Sequence, residues 1–128
     1  MKNNEADLIW NRACSAEEIT GVGDQQLRAL LRVHAVVKSR GVDRAIAALT
    51  DDDFTAAVAA CGYFDLSGLA AVIASMPLTR GDEATVTRLE AQYKALVPQD
   101  QALFDAFAER LGAAPQDFAP VDPATLNG

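Results

Sequence analysis

The sequence has few residues of the kinds that build metal sites or disulfide frameworks. Its 128 residues include one histidine and two cysteines, and Cys14 and Cys61 form no CxxC pair. Zinc usually takes three or four protein ligands, so these cysteines and His34 are too few, and we expect no metal or other cofactor. Two separated cysteines are more typical of small buried hydrophobic residues than of a disulfide.

A membrane span and a secretion signal are also missing. The longest apolar stretch, Gly68 to Ala74, falls far short of the roughly 20 residues that cross a bilayer. Glu5 and Asp7 lie near the N-terminus, where a signal peptide needs an unbroken apolar segment. These features predict a cytoplasmic protein without a membrane partner.

Basic residues are scarce relative to acidic ones. Eleven lysines and arginines face eighteen aspartates and glutamates, which gives a net charge of −7 and a pI near 4.5. Such a chain is poorly suited to binding nucleic acid through its phosphates. The negative charge is uneven, because residues 1–44 carry a net +1 and residues 45–128 carry a net −8. With 50% apolar residues, the chain has enough material for one domain with a core.

Apolar residues recur with helical spacing along nearly the whole chain. No segment shows the period-two alternation of a half-buried strand. We therefore predict a single all-α domain of six or seven short helices over residues 1–120, followed by a flexible tail over residues 121–128. Six of the predicted helices are Glu5–Ala13, Gln25–Ser39, Val42–Leu49, Asp51–Cys61, Asp82–Val97 and Asp100–Gly112, and a last turn is predicted at Pro115–Phe118. One more helix is predicted between Asp51–Cys61 and Asp82–Val97, with Asp65 as its N-cap and Met76-Pro77 at its end.

Several helix ends are predicted from capping residues. Asp24 is the predicted N-cap of the second helix, and Thr50 with Asp53 matches a capping box at the start of the fourth. Gly41 and Gly62 are predicted to end the helices that precede them, because glycine tolerates positive φ. Eight of the eighteen acidic residues fall at predicted helix starts, where the helix dipole favours them. Much of the acidity therefore has a structural explanation.

His34 is the first candidate for a general base, because it is the only histidine in the sequence. It lies in phase with Leu27, Leu30, Leu31 and Val37 on the apolar face of the second helix. This placement favours a packed, hydrogen-bonded core residue. The alternative is a small helical enzyme in which His34 works with a nearby acid.

Two further motifs favour structure over ligand binding. Gly21-Val22-Gly23 precedes a helix, but the dinucleotide fingerprint and the P-loop are both missing, so a plain loop is favoured over a phosphate site. Asp51, Asp52 and Asp53 point about 100° apart on a helix and do not converge on one ion. Helix capping and surface solvation explain them better.

Five acidic residues form the predicted partner-binding surface. Asp105 and Glu109 stand at i and i+4 on the last predicted helix, where like charges destabilise an isolated helix. Glu83 and Glu90 share a face of the preceding helix, and Asp82 stands at its start. If these two helices pack as an antiparallel hairpin, the five residues form one acidic ridge that suits a basic protein.

Three stretches of the chain together resemble one family. They are Leu30–Val42 (LLRVHAVVKSRGV), Ala59–Met76 (AACGYFDLSGLAAVIASM) and Leu89–Phe118 (LEAQYKALVPQDQALFDAFAERLGAAPQDF). In this arrangement the chain resembles a family of small, acidic, mostly helical bacterial domains of unknown function that includes a DNA-mimic protein. The resemblance covers residues 25–118, although this chain has Lys38-Ser39-Arg40-Gly41 where the family has an Asn-rich double-glycine turn. It implies a non-enzymatic homodimer that occupies the DNA-binding face of a partner.

Three classes of function are consistent with these features. The first is an acidic protein that inhibits or masks a basic partner, either a DNA-binding regulator or a basic toxin or nuclease. If the partner is a basic toxin or nuclease, the chain would be an immunity protein. The other two classes are the small helical enzyme that uses His34 and a structural subunit that joins a larger assembly through apolar surface.

Overall fold

The computed structural model describes residues 5–15, 18–79 and 81–120, and this part of the chain is helical. It contains no strand, which confirms the predicted all-α single domain. The predicted tail, residues 121–128, lies outside the described residues. No helix in the described ranges is both long and apolar enough to cross a membrane.

The helices are α1 (Glu5–Cys14), α2 (Val22–Ala48), α3 (Asp51–Tyr63), α4 (Ser67–Ser75), α5 (Glu83–Leu96) and α6 (Asp100–Ala113), with short 3₁₀ turns at Met76–Thr79 and Pro115–Asp117.

The longest element, α2, breaks at Gly41. The predicted helices Gln25–Ser39 and Val42–Leu49 belong to one element of 27 residues, but Gly41 takes φ 90° and ψ 169° inside it. This conformation suits glycine, so Gly41 interrupts the helix where the sequence predicts an end. Beyond the break, the N–H of Val42 donates to Oε1 of Glu90 at 2.8 Å. A side chain of α5 therefore caps the second segment of α2.

The start of α2 corrects the prediction for Asp24. The helix begins at Val22 with Gly21 as its N-cap, so Asp24 is the third residue of the helix. Its side chain is fully buried, and Oδ1 accepts hydrogen bonds from Nη2 and Nε of Arg12 at 2.7 and 3.1 Å. A guanidinium is a stronger partner for a carboxylate than the backbone N–H groups of a helix start. Asp24 therefore joins α1 to α2.

The same aspartate holds the C-terminal segment of the described chain. Asp24 Oδ2 accepts from the N–H of Ala119 at 2.8 Å, and Arg12 donates to the carbonyl of Ala119 at 2.9 Å. Close packing here requires glycine, because a Cβ on Gly23 would lie 2.6 Å from the ring of Phe118. The predicted loop Gly21-Val22-Gly23 is therefore wrong for Val22 and Gly23, which open α2, and Gly23 makes room there for the chain's own C-terminal segment.

The boundaries of α3 match the prediction at one end only. Thr50 and Asp53 form the predicted capping box, in which Asp53 N–H donates to Thr50 Oγ1 at 3.1 Å and Thr50 N–H donates to Asp53 Oδ2 at 2.9 Å. Gly62 does not end the helix, which continues to Tyr63. Gly112 likewise lies inside α6. Neither glycine stands at the position where a positive φ is needed, so neither acts as a stop.

The turn between α3 and α4 is closed around Asp65. Leu66 N–H donates to the carbonyl of Cys61 at 2.7 Å, and Asp65 N–H donates to the carbonyl of Gly62 at 3.2 Å. These are the two bonds of a Schellman motif. Asp65 takes the left-handed position with φ 60°, so it ends α3, and the prediction that it caps the next helix is wrong.

Aromatic rings join α1, α3 and α6 in one part of the core. Phe107 is fully buried, and its ring centroid lies 5.5 to 6.4 Å from those of Trp10, Phe64, Phe104 and Phe118. Tilted and edge-to-face contacts of this kind favour a fixed packing arrangement. Elsewhere α2 packs against α1, α3 and α5, and α5 also packs against α4.

Candidate functional site

The helices differ strongly in charge. α2 carries five basic and two acidic residues, whereas α3 carries three acidic residues and no basic one. α6 carries three acidic residues and one basic residue, and α5 carries two of each. Among these helices the negative charge is therefore concentrated on α3 and α6, and α5 is neutral.

The C-terminal end of α3 meets the second half of α6 at an acidic groove. Three exposed residues, Asp65, Asp105 and Glu109, line this groove, which has a volume of about 420 Å³. Tyr63 and Arg110 also line it, and we name it the α3–α6 groove. Asp105 and Glu109 lie on successive turns of α6, and Asp65 lies in the turn after α3. A side chain that enters the groove therefore meets carboxylates from two elements.

Arg110 is engaged by its neighbours within the groove. Its Cζ lies 4.3 Å from the centroid of the Tyr63 ring, and its Nη2 lies 3.9 Å from Oδ2 of Asp117. The Tyr63 hydroxyl donates to the same carboxylate oxygen at 2.6 Å. Burial and then this hydrogen bond raise the pKa of Tyr63, so the phenol keeps its proton at neutral pH. Asp117 and Tyr63 thus flank the guanidinium of Arg110, although its buried Nε has no hydrogen-bond partner among the described residues.

Two of the five predicted partner-binding residues, Asp105 and Glu109, lie together in the α3–α6 groove. The side-chain amide of Gln101 donates to Oδ1 of Asp105 at 2.7 Å on the exposed face of α6. Asp65 is the third exposed acidic residue of this groove, and the sequence pattern did not predict it there. An aspartate just before a predicted helix matches an N-cap, and its place beside α6 depends on the tertiary fold.

Two other predicted residues, Asp82 and Glu83, lie at the start of α5. With Asp43 of α2 they line a second, open groove of about 910 Å³. Asp82 is the N-cap of α5, where the hydroxyl and the N–H of Thr85 donate to its two oxygens at 2.7 and 3.2 Å. These bonds from Thr85 lower the pKa of Asp82. Asp82 therefore has a structural role in addition to its exposure.

Glu90, the fifth predicted residue, is half-buried and joins α5 to α2. Its Oε1 caps Val42, and its Oε2 lies 3.8 Å from Nζ of Lys94. α5 packs mainly against α2 and α4, whereas α6 packs against α1 and the 3₁₀ turn at residues 115–117. The two helices therefore do not form the side-by-side hairpin on which the single ridge depends. The carboxylates instead occupy two grooves.

His34 lies in a partly buried network that joins α2, α5 and α6. It is 6% exposed, and its Nδ1 lies 2.7 Å from the hydroxyl of Tyr93, which is 2% exposed. Its Nε2 lies 2.8 Å from Oδ1 of Asp100, and Lys38 donates to the other carboxylate oxygen at 2.7 Å. The bonds from His34 and Lys38 lower the pKa of Asp100, and burial raises the pKa of Tyr93. His34 is therefore the packed, hydrogen-bonded residue that the sequence predicts.

The His34 network borders a cavity of about 400 Å³ whose lining includes Lys94 and Gln99. A general base needs a nitrogen lone pair that faces a substrate. When Nε2 of His34 donates to Asp100, Nδ1 accepts from the Tyr93 phenol, so the lone pair is already used. The geometry of the network therefore favours a connection between three helices over catalysis.

Neither cysteine is activated as a nucleophile. Cys61 is buried, as predicted, and burial raises the pKa of its thiol to about 12. Cys14 is exposed at the last position of α1, so the prediction of a buried residue is wrong there. Partial burial and the charge of Asp100 raise the pKa of its thiol, and a thiol of raised pKa is mostly protonated at neutral pH. Within the described ranges, no cluster of His, Cys, Asp or Glu side chains is arranged to hold a metal ion.

No protein-family model, curated protein or solved structure matches this chain. The α3–α6 groove, with its three exposed carboxylates, is the candidate site that the geometry favours. The His34 network and its cavity are the second candidate.

Proposed function

We propose that this chain is a cytoplasmic, non-enzymatic acidic protein that binds a basic protein partner and masks its functional surface. One observation carries the proposal: Asp65, Asp105 and Glu109 line a single groove, and all three are exposed. Within the part of the chain that the structure describes, none of the three forms an ion pair. Their charges therefore remain available to a partner.

The conformation of Asp65 adds independent support. It holds the left-handed position of a Schellman motif at φ 60°, where glycine is the residue of lowest strain. Aspartate tolerates this conformation better than most residues, and its carboxylate forms no ion pair within the described ranges. A role for that carboxylate in partner binding accounts for its presence.

The chemistry of the groove suits an arginine or lysine side chain. Carboxylates bind a guanidinium through charge-assisted, often bidentate hydrogen bonds. Arg110 packs on the Tyr63 ring in the same groove, and this aromatic face supports the proposal because a guanidinium stacks favourably on such a ring. Attraction between an acidic groove and a basic surface speeds association and makes the complex weaker at high salt.

The second groove, with Asp43, Asp82 and Glu83, offers a further contact for the same partner. These residues are exposed, and they add to the field of a protein with net charge −7. Such a field attracts a basic partner before contact. We therefore assign the α3–α6 groove the main contact and assign Asp82 and Glu83 a supporting one.

Two kinds of basic partner fit this proposal. The family resemblance favours a DNA-binding regulator whose DNA-binding face the acidic residues would occupy. A basic toxin or nuclease is the alternative, and the chain would then be an immunity protein. An assay of the captured partner separates them, because a regulator loses sequence-specific DNA binding in the complex and a toxin or nuclease loses its toxic or catalytic activity.

The proposal is tested by pull-down from a native lysate at low and high salt with matched charge reversals. Asp105→Lys/Glu109→Lys reverses the α3–α6 groove, and Glu5→Lys/Glu18→Lys makes the same change at exposed positions outside it. We expect the groove variant to lose a protein that the wild type captures at low salt, and the control to retain it. Capture by both variants would eliminate the groove as the binding surface.

A second candidate function is a small helical enzyme that uses His34. The observation in its favour is the order Tyr93–His34–Asp100 beside a cavity, which matches the hydroxyl, base and acid of nucleophilic enzymes. His34→Gln separates the two functions. Loss of turnover in a substrate screen at an unchanged melting temperature supports the enzyme, whereas a lower melting temperature without wild-type turnover supports the structural network.

A further inference from the structure

The cavity that borders the His34 network has the size and lining of a small-molecule site. It has a volume of about 400 Å³, and the apolar side chains of Val37, Val97 and Pro98 line it together with several polar groups. Small-molecule sites in proteins are typically clefts of about 300–1,000 Å³ with apolar walls and a few polar groups that orient the ligand. We name this space the His34 cavity, and its lining joins α2, the end of α5 and the start of α6.

The His34 cavity differs in charge from the two acidic grooves. Among the described residues, Lys38 of α2 and Lys94 of α5 line it, against the single carboxylate of Asp100. In the same part of the chain, the lining of the α3–α6 groove has three carboxylates and one guanidinium, and the lining of the groove beside Asp43 has three carboxylates and no basic residue. A small anion is therefore attracted to the His34 cavity and repelled from both acidic grooves.

Hydrogen-bond donors of the His34 cavity remain unused within the described chain. Nζ of Lys94 lies 3.8 Å from Oε2 of Glu90, which is beyond hydrogen-bond distance, and the Lys94 side chain is 75% exposed. Lys38 donates to Asp100, but an ammonium group has three N–H donors. Gln99 is the N-cap residue of α6, and its side chain forms no capping hydrogen bond. These donors are therefore available to an acceptor that enters the cavity.

The carboxylate of Asp100 already has partners for both of its oxygens. Oδ1 lies 2.8 Å from Nε2 of His34, and Oδ2 accepts from Nζ of Lys38 at 2.7 Å. Asp100 therefore leaves the donors of Lys94 and Gln99 unoccupied, and it holds the ammonium of Lys38 at the cavity.

We infer that the His34 cavity binds a small organic carboxylic acid with an apolar body. The carboxylate accepts charge-assisted hydrogen bonds from the two lysines, and the apolar body is buried against Val37, Val97 and Pro98. An inorganic anion has no apolar part to bury there, so it binds more weakly. The lone pair of His34 is used by Tyr93, so the acid is bound without turnover. This site involves neither acidic groove and does not rest on the proposed function.

The test is a nuclear magnetic resonance titration of the full, isotope-labelled chain with benzoate and with hexanoate at constant ionic strength. We expect saturable shifts centred on the backbone amides of the residues that line the cavity, with a dissociation constant in the millimolar range or below for ligands of so few atoms. Benzamide has the same ring without the charge and is expected to bind at least about tenfold more weakly than benzoate.

A pair of matched variants locates the site. Lys94→Gln removes one ammonium from the cavity and is expected to raise the dissociation constant of benzoate at least about fivefold. Arg88→Gln removes the same charge from an exposed position of α5 outside the cavity lining and should leave that constant within about twofold. Both side chains are exposed, and circular dichroism checks that each variant keeps its helix content.

Several results would overturn the inference. They are no saturable shift with either acid, equal affinity for benzoate and benzamide, equal affinity for benzoate and inorganic phosphate, and equal affinity of Lys94→Gln and Arg88→Gln for benzoate. A new compound formed from either acid would also overturn it, in favour of the enzyme that uses His34.

Discussion

The buried polar residues of this protein are hydrogen-bonded to other residues of the same chain, whereas the carboxylates of its exposed acidic groove have no ion-pair partner within the described chain. Asp24 is bonded to Arg12 and to the Ala119 backbone, and His34 is bonded to Tyr93 and Asp100. In the α3–α6 groove, the described chain supplies no ion pair to the three carboxylates. A buried polar group must be paired internally because its desolvation is costly, whereas an exposed carboxylate is solvated by water. The comparison separates residues that hold the fold from residues available to a partner.

Removal of the buried carboxylate of Asp24 should have the largest effect on stability. Asp24→Ala leaves the guanidinium of Arg12 without its partner and frees the Ala119 segment. We expect the free energy of unfolding to fall by about 3–5 kcal/mol, as for other broken buried ion pairs. Urea denaturation measures it, with Asp52→Ala at an exposed position as the control. A loss of less than about 1 kcal/mol would show that the buried pair is not what fixes this end of the molecule.

A smaller effect is expected in the His34 network. Tyr93→Phe keeps the ring but removes the hydroxyl that lies 2.7 Å from Nδ1 of His34. A buried nitrogen left without its hydrogen bond costs about 1–2 kcal/mol of stability. Thermal unfolding provides the measurement, and equal stability of the variant and the wild type would contradict the role of this bond.

The groove should respond in the opposite direction. Asp65→Gly relieves the left-handed backbone at φ 60° and is expected to raise the free energy of unfolding by about 0.5–1 kcal/mol. The same change removes one carboxylate from the α3–α6 groove, so capture of the basic partner should weaken. Denaturation and pull-down are compared on the same preparation. A variant that gains stability and keeps full capture would show that Asp65 has no part in binding.

The smallest expected effect is on the pH dependence of stability, which Asp100 of the His34 network should change. Bonds from His34 and Lys38 hold the pKa of Asp100 below its ordinary value of about 3.9. A carboxyl whose pKa is lowered on folding contributes stability above about pH 4, and this contribution is lost as pH falls through the folded-state pKa. Asp100→Asn should therefore lose less stability than the wild type when the pH is lowered from about 5 to about 2. Urea unfolding across that range measures the difference, and parallel curves would contradict it.

Local patterns predicted the helices and some of their ends. The apolar period, the capping box of Thr50 and Asp53, and the break at Gly41 depend only on residues close in sequence. The burial of His34 was also predictable, because a helical face fixes which residues share a side. Its partners Tyr93 and Asp100 were not, because they lie on other helices.

The remaining features depend on contacts between residues distant in the chain. Asp24 matches an N-cap in sequence, and only its contact with Ala119, 95 positions away, reveals the buried cluster. Asp65 matches an N-cap in the same way and instead ends α3 beside α6. Glu90 matches a surface acid, although it caps a helix broken 49 positions earlier. Aspartate and glutamate serve as caps, ion-pair partners and binding groups alike, so sequence spacing alone did not distinguish these roles.

We propose that the α3–α6 groove binds a basic protein through its carboxylates. The most direct test is the dissociation constant of the captured partner, measured by titration calorimetry at low salt for the wild type and both double charge reversals. We predict a rise of at least about 100-fold for Asp105→Lys/Glu109→Lys and of less than about threefold for Glu5→Lys/Glu18→Lys. Equal affinities for the wild type and both variants would contradict the claim.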